Sequence, residues 1–261
     1  MRVLITRPAA QAAEWVASLR SAGIDALSLP LIGIEPAGDV AALHAAWWGL
    51  AQRRLVMFVS PNAAQQFMAH RPAAMNWPAD VLAASPGPGT TRALVGAGVP
   101  ARCIVEPAAD APQFDSEALW AQLAARDWRG ADVLIVRGDG GRDWFADTLR
   151  AHGATVAYLH AYCRVAPSFD AAHTALLAAA LAQPAEHLWF FSSSEAVANL
   201  GDAVAAVAAV AEHAAADWSE ARALATHPRI AERALQLGFG QVAQARPTLA
   251  GVVACIQSTR S

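Results

Sequence analysis

The sequence contains no lysine, so all 19 of its basic residues are arginines. A chain without lysine cannot form a Schiff base, use a lysine as general base or build the lysine-containing loop of P-loop nucleotide-binding proteins. Arginine, by contrast, is well suited to bidentate binding of carboxylates. The absence of lysine therefore excludes several classes of enzyme and leaves recognition of carboxylates open.

Cysteine and histidine are few and dispersed. The three cysteines, Cys103, Cys163 and Cys255, lie far apart, and no C-x-x-C, H-x-H or H-x-x-x-H pair occurs. We therefore expect reduced thiols in the cytoplasm, no disulfide framework and no metal site. The glycine-rich segment 138–141 lacks the G-x-G-x-x-G spacing of dinucleotide-binding loops. The sequence predicts a protein that needs no cofactor.

Long apolar runs and a strong charge of one sign are also missing. Although 55% of the residues are hydrophobic, no run approaches the roughly 18–20 apolar residues of a membrane-spanning helix. The net charge is −3, without a basic tail, which gives nucleic-acid binding little support. A strand pattern follows Met1-Arg2 at once, so we expect no cleaved leader. We predict neither a membrane nor a nucleic-acid partner.

What the sequence has instead is a repeated strand–helix–strand pattern. Residues 3–7 form a short apolar run that leads into an amphipathic helix ending near Gly23. Residues 133–142, a helix ending near Gly153 and the segment 154–162 repeat this order in the second half. Strands that alternate with helices are typical of an α/β fold with parallel sheets.

Further elements follow from the same patterns. We predict a short strand at 103–105 and a helix at 91–96, after a glycine-rich turn. In the second half we predict two separate helices, at 195–200 and at 203–216.

The turns that follow the predicted strands are rich in hydroxyl groups, glycines and arginines. They comprise residues 6–8, 60–62, 87–90, 137–142, 192–194 and 226–229. In open parallel sheets, ligands gather at the carboxyl ends of the strands, beside helix N-termini that attract anions. Ordinary helix capping explains any single turn. Because such turns recur in both halves, the set favours an anion-binding site.

Two groups, Tyr162 and the serines at 192–194, invite a catalytic interpretation. Tyr162, one of two tyrosines, ends the last strand of the second repeat. Its phenol is either a core group with a satisfied hydroxyl or a proton donor facing a cleft. The serines at 192–194 lack the G-x-S-x-G context of a nucleophile, so we interpret them as helix-capping groups.

Taken together, these segments resemble the uroporphyrinogen-III synthase family. The motifs are individually weak, but they occur in order along nearly the whole chain. They are Leu4-Ile-Thr-Arg-Pro8, Leu29-Pro-Leu-Ile32, Ser60-Pro-Asn62, Gly87-Pro-Gly-Thr90, Leu134-Ile-Val-Arg-Gly-Asp-Gly140, Leu149-Arg150 with Gly153, Tyr162, Phe190-Phe-Ser-Ser193, Pro228 and Pro247-Thr-Leu249.

The resemblance implies two flavodoxin-like parallel-sheet α/β domains joined by a two-stranded linker. On this chain, residues 1–36 with 166–261 correspond to the first, discontinuous domain, and residues 39–160 correspond to the second. The linker strands correspond to about 28–36 and 160–167.

The resemblance also implies a reaction. The family closes hydroxymethylbilane, a linear tetrapyrrole with eight carboxylates, into uroporphyrinogen III. This hydro-lyase reaction of heme biosynthesis expels water, inverts ring D and needs no cofactor. On the family pattern and the strand-end turns together, Tyr162 is the candidate proton donor. The candidate substrate-binding residues are Thr6, Arg7, Ser60, Asn62, Gly87, Gly89, Thr90, Arg137, Gly138, Arg142, Ser192, Ser193, Thr226 and His227.

The sequence departs from the common family pattern in a few places, and other functions remain open. The departures are Val59, Ser85-Pro86, His227 and Ile230. The alternative function is a non-catalytic, two-lobed binding protein or sensor of an anionic ligand. A flavodoxin-like nucleotide enzyme is disfavoured by the missing phosphate loop. The resemblance implies a cytoplasmic monomer that binds hydroxymethylbilane and transiently contacts the preceding enzyme of the pathway.

Overall fold

The computed structural model describes residues 1–211 and 217–258. The chain forms two compact units, one made of Met1–Gly33 with Val165–Ser261 and the other of Ile34–Arg164. Each unit contains one sheet in which strands alternate along the chain with helices. The predicted α/β fold class with two parallel sheets is confirmed.

The first unit is built on a sheet of five described strands. These strands are β1 (Arg2–Ile5), β2 (Ala26–Ser28), β9 (His187–Phe191), β10 (Arg222–Ala225) and β11 (Gln241–Gln244). They lie in the order β2-β1-β9-β10-β11, and every neighbouring pair is parallel. This is the flavodoxin-like strand order. The described helices of the unit are α1 (Ala9–Ser21), α7 (Ala171–Ala182), α8 (Ser194–Ala211), α9 (Pro228–Leu237) and α10 (Leu249–Ser258).

The second unit contains a six-stranded sheet. Its strands are β3 (Gly33–Pro36), β4 (Leu55–Phe58), β5 (Leu82–Ala84), β6 (Ile104–Val105), β7 (Asp132–Gly138) and β8 (Thr155–Val165). The order is β3-β8-β7-β4-β5-β6. The helices are α2 (Val40–Trp48), α3 (Pro61–Ala69), α4 (Pro88–Gly96), α5 (Ser116–Leu123) and α6 (Trp144–Ala151).

The internal repeat of the sequence occupies equivalent positions in the two sheets. The unit β1-α1-β2 lies beside β9, and the unit β7-α6-β8 lies beside β4. Both neighbouring strands, β9 and β4, lead into a serine-containing turn. If β7 and β8 are counted first, the five strands β8-β7-β4-β5-β6 follow the same flavodoxin-like order as the other sheet.

The core of the second unit shows why its central strands are apolar throughout. Side chains alternate between the two faces of a strand. Val56 and Phe58 pack into one buried cluster, while Leu55 and Met57 pack into the cluster on the opposite face. A strand buried on both faces has no polar side, so it appears in the sequence as a continuous apolar run.

Two predicted elements of the second unit begin or end elsewhere. The helix predicted at 91–96 begins at Pro88, because proline is tolerated in the first turn of a helix. The strand predicted at 103–105 is limited to Ile104–Val105, because Ala101–Cys103 forms a turn of 3-10 helix.

The helices predicted at 195–200 and 203–216 are one continuous helix, α8, as far as Ala211. Gly201, which lies between the two predicted helices, allows close packing against α9, since a Cβ atom there would lie 3.1 Å from Cδ1 of Leu237. The part of the prediction at 212–216 lies outside the described residues. Within the described ranges, no helix combines the length and apolar character needed to cross a membrane.

Candidate active site

Polar turns follow β4, β5 and β7, which end at the same edge of the second unit's sheet. β4 leads through Ser60 into α3, and β5 leads through Gly87 into α4. The two helix starts lie close together, since a Cβ atom on Gly89 would be 3.6 Å from Cγ of Pro61. Asn62 and Thr90 lie in these first turns. The edge thus gathers backbone N–H groups that favour anions.

Ser60 connects one of these helix starts to Tyr162. Its Oγ atom accepts a hydrogen bond from the backbone N–H of Ala63 at 3.1 Å, which caps α3. The same oxygen lies 3.0 Å from the Oη atom of Tyr162. Ser60 therefore both caps α3 and contacts the predicted proton donor.

Tyr162 is completely buried, with 0% exposure. Its hydroxyl accepts a hydrogen bond from Nη2 of Arg164 at 3.1 Å, and the guanidinium carbon lies 5.6 Å from the ring centroid. Of the two alternatives that the sequence left open, this matches the core group with a satisfied hydroxyl, because Ser60 and Arg164 enclose the hydroxyl. Ser60 itself is partly buried.

An irregularity in β8 turns Tyr162 inward. Arg137 pairs with His160, but the next residue, Gly138, pairs with Tyr162, so Ala161 is left over as a β-bulge. As a result, Ala161 and Tyr162 are consecutive and both belong to the same buried cluster. Regular alternation would have placed them on opposite faces.

Gly138 makes room for the tyrosine ring. A Cβ atom at this position would lie 2.8 Å from both Cε2 and Cζ of Tyr162. The sequence predicted that Gly138 binds substrate. In the structure, its lack of a side chain leaves the space that the Tyr162 ring occupies.

Arg137 holds the glycine-rich loop that follows β7. Its side chain is only 10% exposed; Nε donates to the carbonyl oxygen of Gly140 at 2.9 Å and Nη1 donates to Oδ1 of Asp143 at 2.8 Å. The guanidinium also lies over the ring of Tyr158, 4.9 Å from its centroid. Arg137, predicted to bind substrate, therefore organises the loop in this structure.

Asp143 and Tyr158 complete this arrangement. The Tyr158 hydroxyl donates to Oδ1 of Asp143 at 2.9 Å. The hydrogen bond from Arg137, followed by that from Tyr158, lowers the pKa of Asp143. Burial, followed by the hydrogen bond to Asp143, raises the pKa of Tyr158. At neutral pH the pair is a carboxylate with a neutral phenol.

Arg142 forms a bidentate ion pair with Glu117 at the start of α5. Both Nη atoms donate to the carboxylate, with 3.0 Å between Nη2 and Oε2, and the two side chains are 43% and 41% exposed. The hydrogen bond that it donates to Glu117 raises the pKa of Arg142. The arginine is always charged, but Glu117 occupies the face with which it would bind a substrate carboxylate.

The turn after β5 explains one departure from the family pattern. Ser85 is fully buried; its Oγ atom donates to the carbonyl oxygen of Gly87 at 2.7 Å and accepts from the N–H of Gly87 at 3.2 Å. Ser85 thereby fixes the turn before α4. A Cβ atom at Gly87 would be 3.0 Å from Cβ of Phe114, so a larger residue needs Phe114 to move.

In the first unit, Thr6 and Thr226 follow strands on either side of β9. Thr6 is buried, and its hydroxyl donates to the carbonyl oxygen of Phe190 at 2.7 Å. The backbone N–H of Thr226 donates to the carbonyl oxygen of Phe191 at 3.2 Å. Arg7 donates to Oε1 of Gln11 at 3.0 Å, and its guanidinium carbon lies 4.8 Å from the ring centroid of Trp15.

The remaining candidates of the first unit are at helix starts. Ser192 and Ser193 connect β9 to α8, and Ser193 Oγ accepts from the N–H of Glu195 at 3.2 Å. His227 caps α9, since its Nδ1 accepts from the N–H of Arg229 at 3.1 Å. Ile230 is buried. His227 departs from the family pattern, but it still caps the N-terminus of α9.

The structure brings the sequence-predicted residues of the second unit together around the ends of β4, β5 and β7. Sequence reasoning missed Arg164, Glu117 and Asp143, which hold Tyr162, Arg142 and Arg137 respectively. The position of Arg164, two residues after Tyr162 in the same strand, was a signal for that contact. Within residues 1–211 and 217–258, no three side chains of His, Cys, Asp and Glu converge on a metal-sized space.

Two sheets of flavodoxin-like strand order, with hydroxyl- and arginine-rich turns at strand ends, define a two-unit α/β protein suited to an anionic ligand. Residues 13–254 match the family model described as uroporphyrinogen-III synthase HemD. The chain belongs to the uroporphyrinogen-III synthase family, which confirms the resemblance seen in its motifs.

Related proteins agree with this assignment. The uroporphyrinogen-III synthase of Escherichia coli (strain K12) is 32% identical over 180 residues, which are 67% of this chain and 70% of that protein. The Salmonella typhimurium enzyme is 31% identical over 180 residues, again 67% of this chain and 70% of that protein.

Solved structures show the same fold at low sequence identity. A mutant uroporphyrinogen III synthase of the extreme thermophile Thermus thermophilus has a TM-score of 0.59 at 18% identity, covering 100% of this chain and 97% of that one. The Helicobacter pylori 26695 enzyme has a TM-score of 0.54 at 14% identity, with 100% of both chains covered.

Proposed function

We propose that this protein catalyses the cofactor-free cyclisation of hydroxymethylbilane to uroporphyrinogen III, with inversion of ring D. The observation that carries the proposal is the hydrogen-bonded contact between Tyr162 and Ser60, 3.0 Å long, at a strand end beside two helix N-termini. It provides a proton donor within a set of groups that favour anions. The family to which the chain belongs supplies the reaction.

The proposed substrate fits the chemistry of the strand-end turns. Eight carboxylates need many donors, and the turns offer helix N-terminal N–H groups, hydroxyls such as Ser60, and arginines such as Arg142. We assign substrate binding to the fourteen residues selected from the sequence. The proposal also keeps the predicted domains, residues 1–36 with 166–261 and residues 39–160.

The proposed mechanism begins with removal of the substrate hydroxyl. Ser60 donates its proton to the hydroxyl oxygen and takes the proton of Tyr162, the C–O bond breaks, and water leaves. The resulting azafulvene cation is attacked by a carbon of ring D. Rearrangement and closure release one proton, which restores the phenol. The net change is loss of one water, and the enzyme's main task is to hold the cation in the geometry that yields isomer III.

The test is an isomer assay. Purified protein is mixed with enzymatically generated hydroxymethylbilane, and isomers I and III are separated. We expect isomer III from the wild-type protein, with formation slowed about 100-fold in Tyr162→Phe, a modest general-acid effect. Tyr158→Phe, which removes the only other tyrosine hydroxyl, is the matched control and should retain activity. Isomer I alone from the wild-type protein would refute the proposal and favour the binding-protein alternative.

We further propose that the protein acts in the cytoplasm as a monomer and receives its substrate through transient contact with the preceding pathway enzyme. Because hydroxymethylbilane closes by itself to isomer I, rapid transfer would limit the loss of bilane to this side reaction. Sedimentation of the protein alone tests the monomer. Isomer ratios measured with the preceding enzyme present, compared with those for free bilane added at the same rate, test the transfer, since equal ratios argue against direct contact.

A further inference from the structure

We infer that Arg164 is a positioning residue: it sets the direction of the hydrogen bond between Tyr162 and Ser60, so that the Ser60 hydroxyl hydrogen is left for the substrate. This inference rests on the proposed function and adds a residue that the strand-end turns did not suggest. It concerns residues of the second unit only.

Arg164 is held in place at both its backbone and its side chain. Its N–H donates to Oδ1 of Asp139 at 2.9 Å, which ties the end of β8 to the loop after β7. Its Nη2 atom lies 3.1 Å from Oη of Tyr162. A guanidinium group has donors and no acceptor, so Tyr162 must be the acceptor in this contact.

The direction of the next hydrogen bond follows from burial. The Tyr162 hydroxyl carries one hydrogen, the residue has 0% exposure, and the described partners of its oxygen are Arg164 and Ser60. A buried hydroxyl hydrogen without an acceptor is costly. Tyr162 therefore donates to Oγ of Ser60. If Ser60 donated instead, the phenol hydrogen would have no acceptor among these contacts.

This direction determines what Ser60 offers to a ligand. Its Oγ atom accepts from both Tyr162 and the N–H of Ala63, which fills its two acceptor positions. Its own hydrogen is then available to the leaving hydroxyl of the substrate. When Ser60 gives up this proton it takes the proton of Tyr162, whose oxygen still accepts the hydrogen bond from Arg164.

Kinetics test this role. We expect Arg164→Met to lower kcat for isomer III roughly 10- to 100-fold, the effect of losing one hydrogen bond from a charged donor, with KM unchanged. Arg164→Lys, which restores a charged donor, should recover part of the loss. The matched control is Arg150→Met, because Arg150 lies over the ring of Tyr158 at 5.4 Å much as Arg164 lies over Tyr162. It should leave kcat unchanged.

A spectroscopic readout reports on the contact without any substrate. Tyrosine labelled with ¹³C at Cζ gives two NMR signals, because the chain has two tyrosines, and Tyr158→Phe assigns them. Arg164→Met should move the Tyr162 signal and leave the Tyr158 signal in place. Arg164→Lys should return the Tyr162 signal toward its wild-type position. Thermal melts establish that each variant is folded, and the lysine variant carries the test if the methionine variant does not fold.

The outcomes separate this inference from the proposed function. If the Tyr162 signal stays unmoved in folded Arg164→Met, the proposed role of Arg164 is overturned. The role is also overturned if Arg164→Met raises KM while kcat stays unchanged, since Arg164 would then bind a substrate carboxylate. A wild-type protein that forms no isomer III overturns the proposed function instead, while the NMR signals still report whether Arg164 bonds to Tyr162.

Discussion

The ring of Tyr162 lies against the backbone of Gly138, so closely that any side chain at 138 would collide with it. A Cβ atom on Gly138 would be 2.8 Å from Cζ and 3.2 Å from Oη of Tyr162. The ring is fully buried and has little space to move aside. Gly138 is thus required for the position of the tyrosine.

Gly138→Ala should therefore displace the Tyr162 ring. We expect the added methyl group to destabilise the fold by about 1–3 kcal/mol, as is usual for overpacking, and to lower kcat for isomer III as strongly as Tyr162→Phe does. Thermal melts and the isomer assay measure the two effects. Gly96→Ala is the matched control, because a Cβ atom on Gly96 has no neighbour within 4 Å and the residue lies in a helix. An active Gly138→Ala variant of wild-type stability would contradict the packing argument.

Ser60 and Tyr162 should act as one unit. If the proton passes from Tyr162 through Ser60, then Ser60→Ala and Tyr162→Phe should each lower kcat by about 100-fold, and the double variant should be no slower than the slower single variant. Two independent contributions would instead multiply. Kinetics of the four proteins give the coupling directly.

Ser60→Ala also removes the cap of α3, which alone costs about 1 kcal/mol of stability. Asp39→Ala removes the comparable cap of α2, where Oδ1 accepts from the N–H of Ala42 at 2.9 Å. This control should be similarly destabilised yet fully active. If the double variant of Ser60 and Tyr162 shows multiplied losses, the two hydroxyls do not share one proton path.

Much of the fold was visible in the sequence because its physical causes are local. A continuous apolar run such as 55–58 is typical of a strand buried on both faces, and its side chains do divide between two clusters. The repeat of residues 3–31 in 133–162 predicted equivalent strand–helix–strand units, which occupy equivalent sheet positions. Helix capping was the ordinary explanation of the turn at 60–62, and Ser60 does accept the N–H bond that caps α3.

Apart from the contact with Arg164 in the same strand, the arrangement around Tyr162 was not predictable, since it depends on contacts between distant segments. The β-bulge at Ala161 reflects the pairing of β8 with β7, and sequence alternation gives no sign of it. The pairing of Arg142 with Glu117 likewise joins two separate loops. Composition therefore identified which residues could serve an anion site, but not which of them are already engaged within the protein.

The Asp143 carboxylate should stabilise the fold in a pH-dependent way. Hydrogen bonds from Arg137 and Tyr158 lower its pKa in the folded state below the ordinary value of about 3.9. A lowered folded-state pKa gives stability that is present above pH 4 and is lost as the pH falls through the folded-state value. Asp143→Asn should therefore melt at a lower temperature than the wild-type protein at pH 7, and this difference should shrink below pH 4.

Asp143 is 57% exposed, so solvent screening keeps this effect small. Asp110→Asn is a suitable control, because Asp110 is exposed and takes part in none of the described ion pairs. It should melt like the wild-type protein across the same pH range. If the melting temperatures of Asp143→Asn and the wild-type protein still differ at pH 3, the Asp143 side chain stabilises the fold through its packing and not through its charge.

The ion pair between Arg142 and Glu117 should compete with substrate binding. The two Nη atoms of Arg142 are held by Glu117 in the free protein, and a substrate carboxylate would need the same donors. Glu117→Gln removes the competing charge, so we expect KM to fall about 2- to 5-fold. Arg142→Met should raise KM about 10-fold, because a charge-assisted hydrogen bond to the substrate is lost. In both variants kcat should change little, because the contact is made equally before and during reaction.

Initial-rate measurements of isomer III at low ionic strength give both constants. Arg129→Met serves as the control, since Arg129 forms a comparable pair with Asp127 at 3.0 Å but precedes β7, at the opposite edge of the sheet from the strand-end turns. Its KM should equal that of the wild-type protein. Added salt should weaken the Arg142 effects, because both partners of the pair are more than one-third exposed. If Glu117→Gln raises KM instead, the ion pair orders the loop for binding, and Arg142 acts through its position rather than as a donor to the substrate.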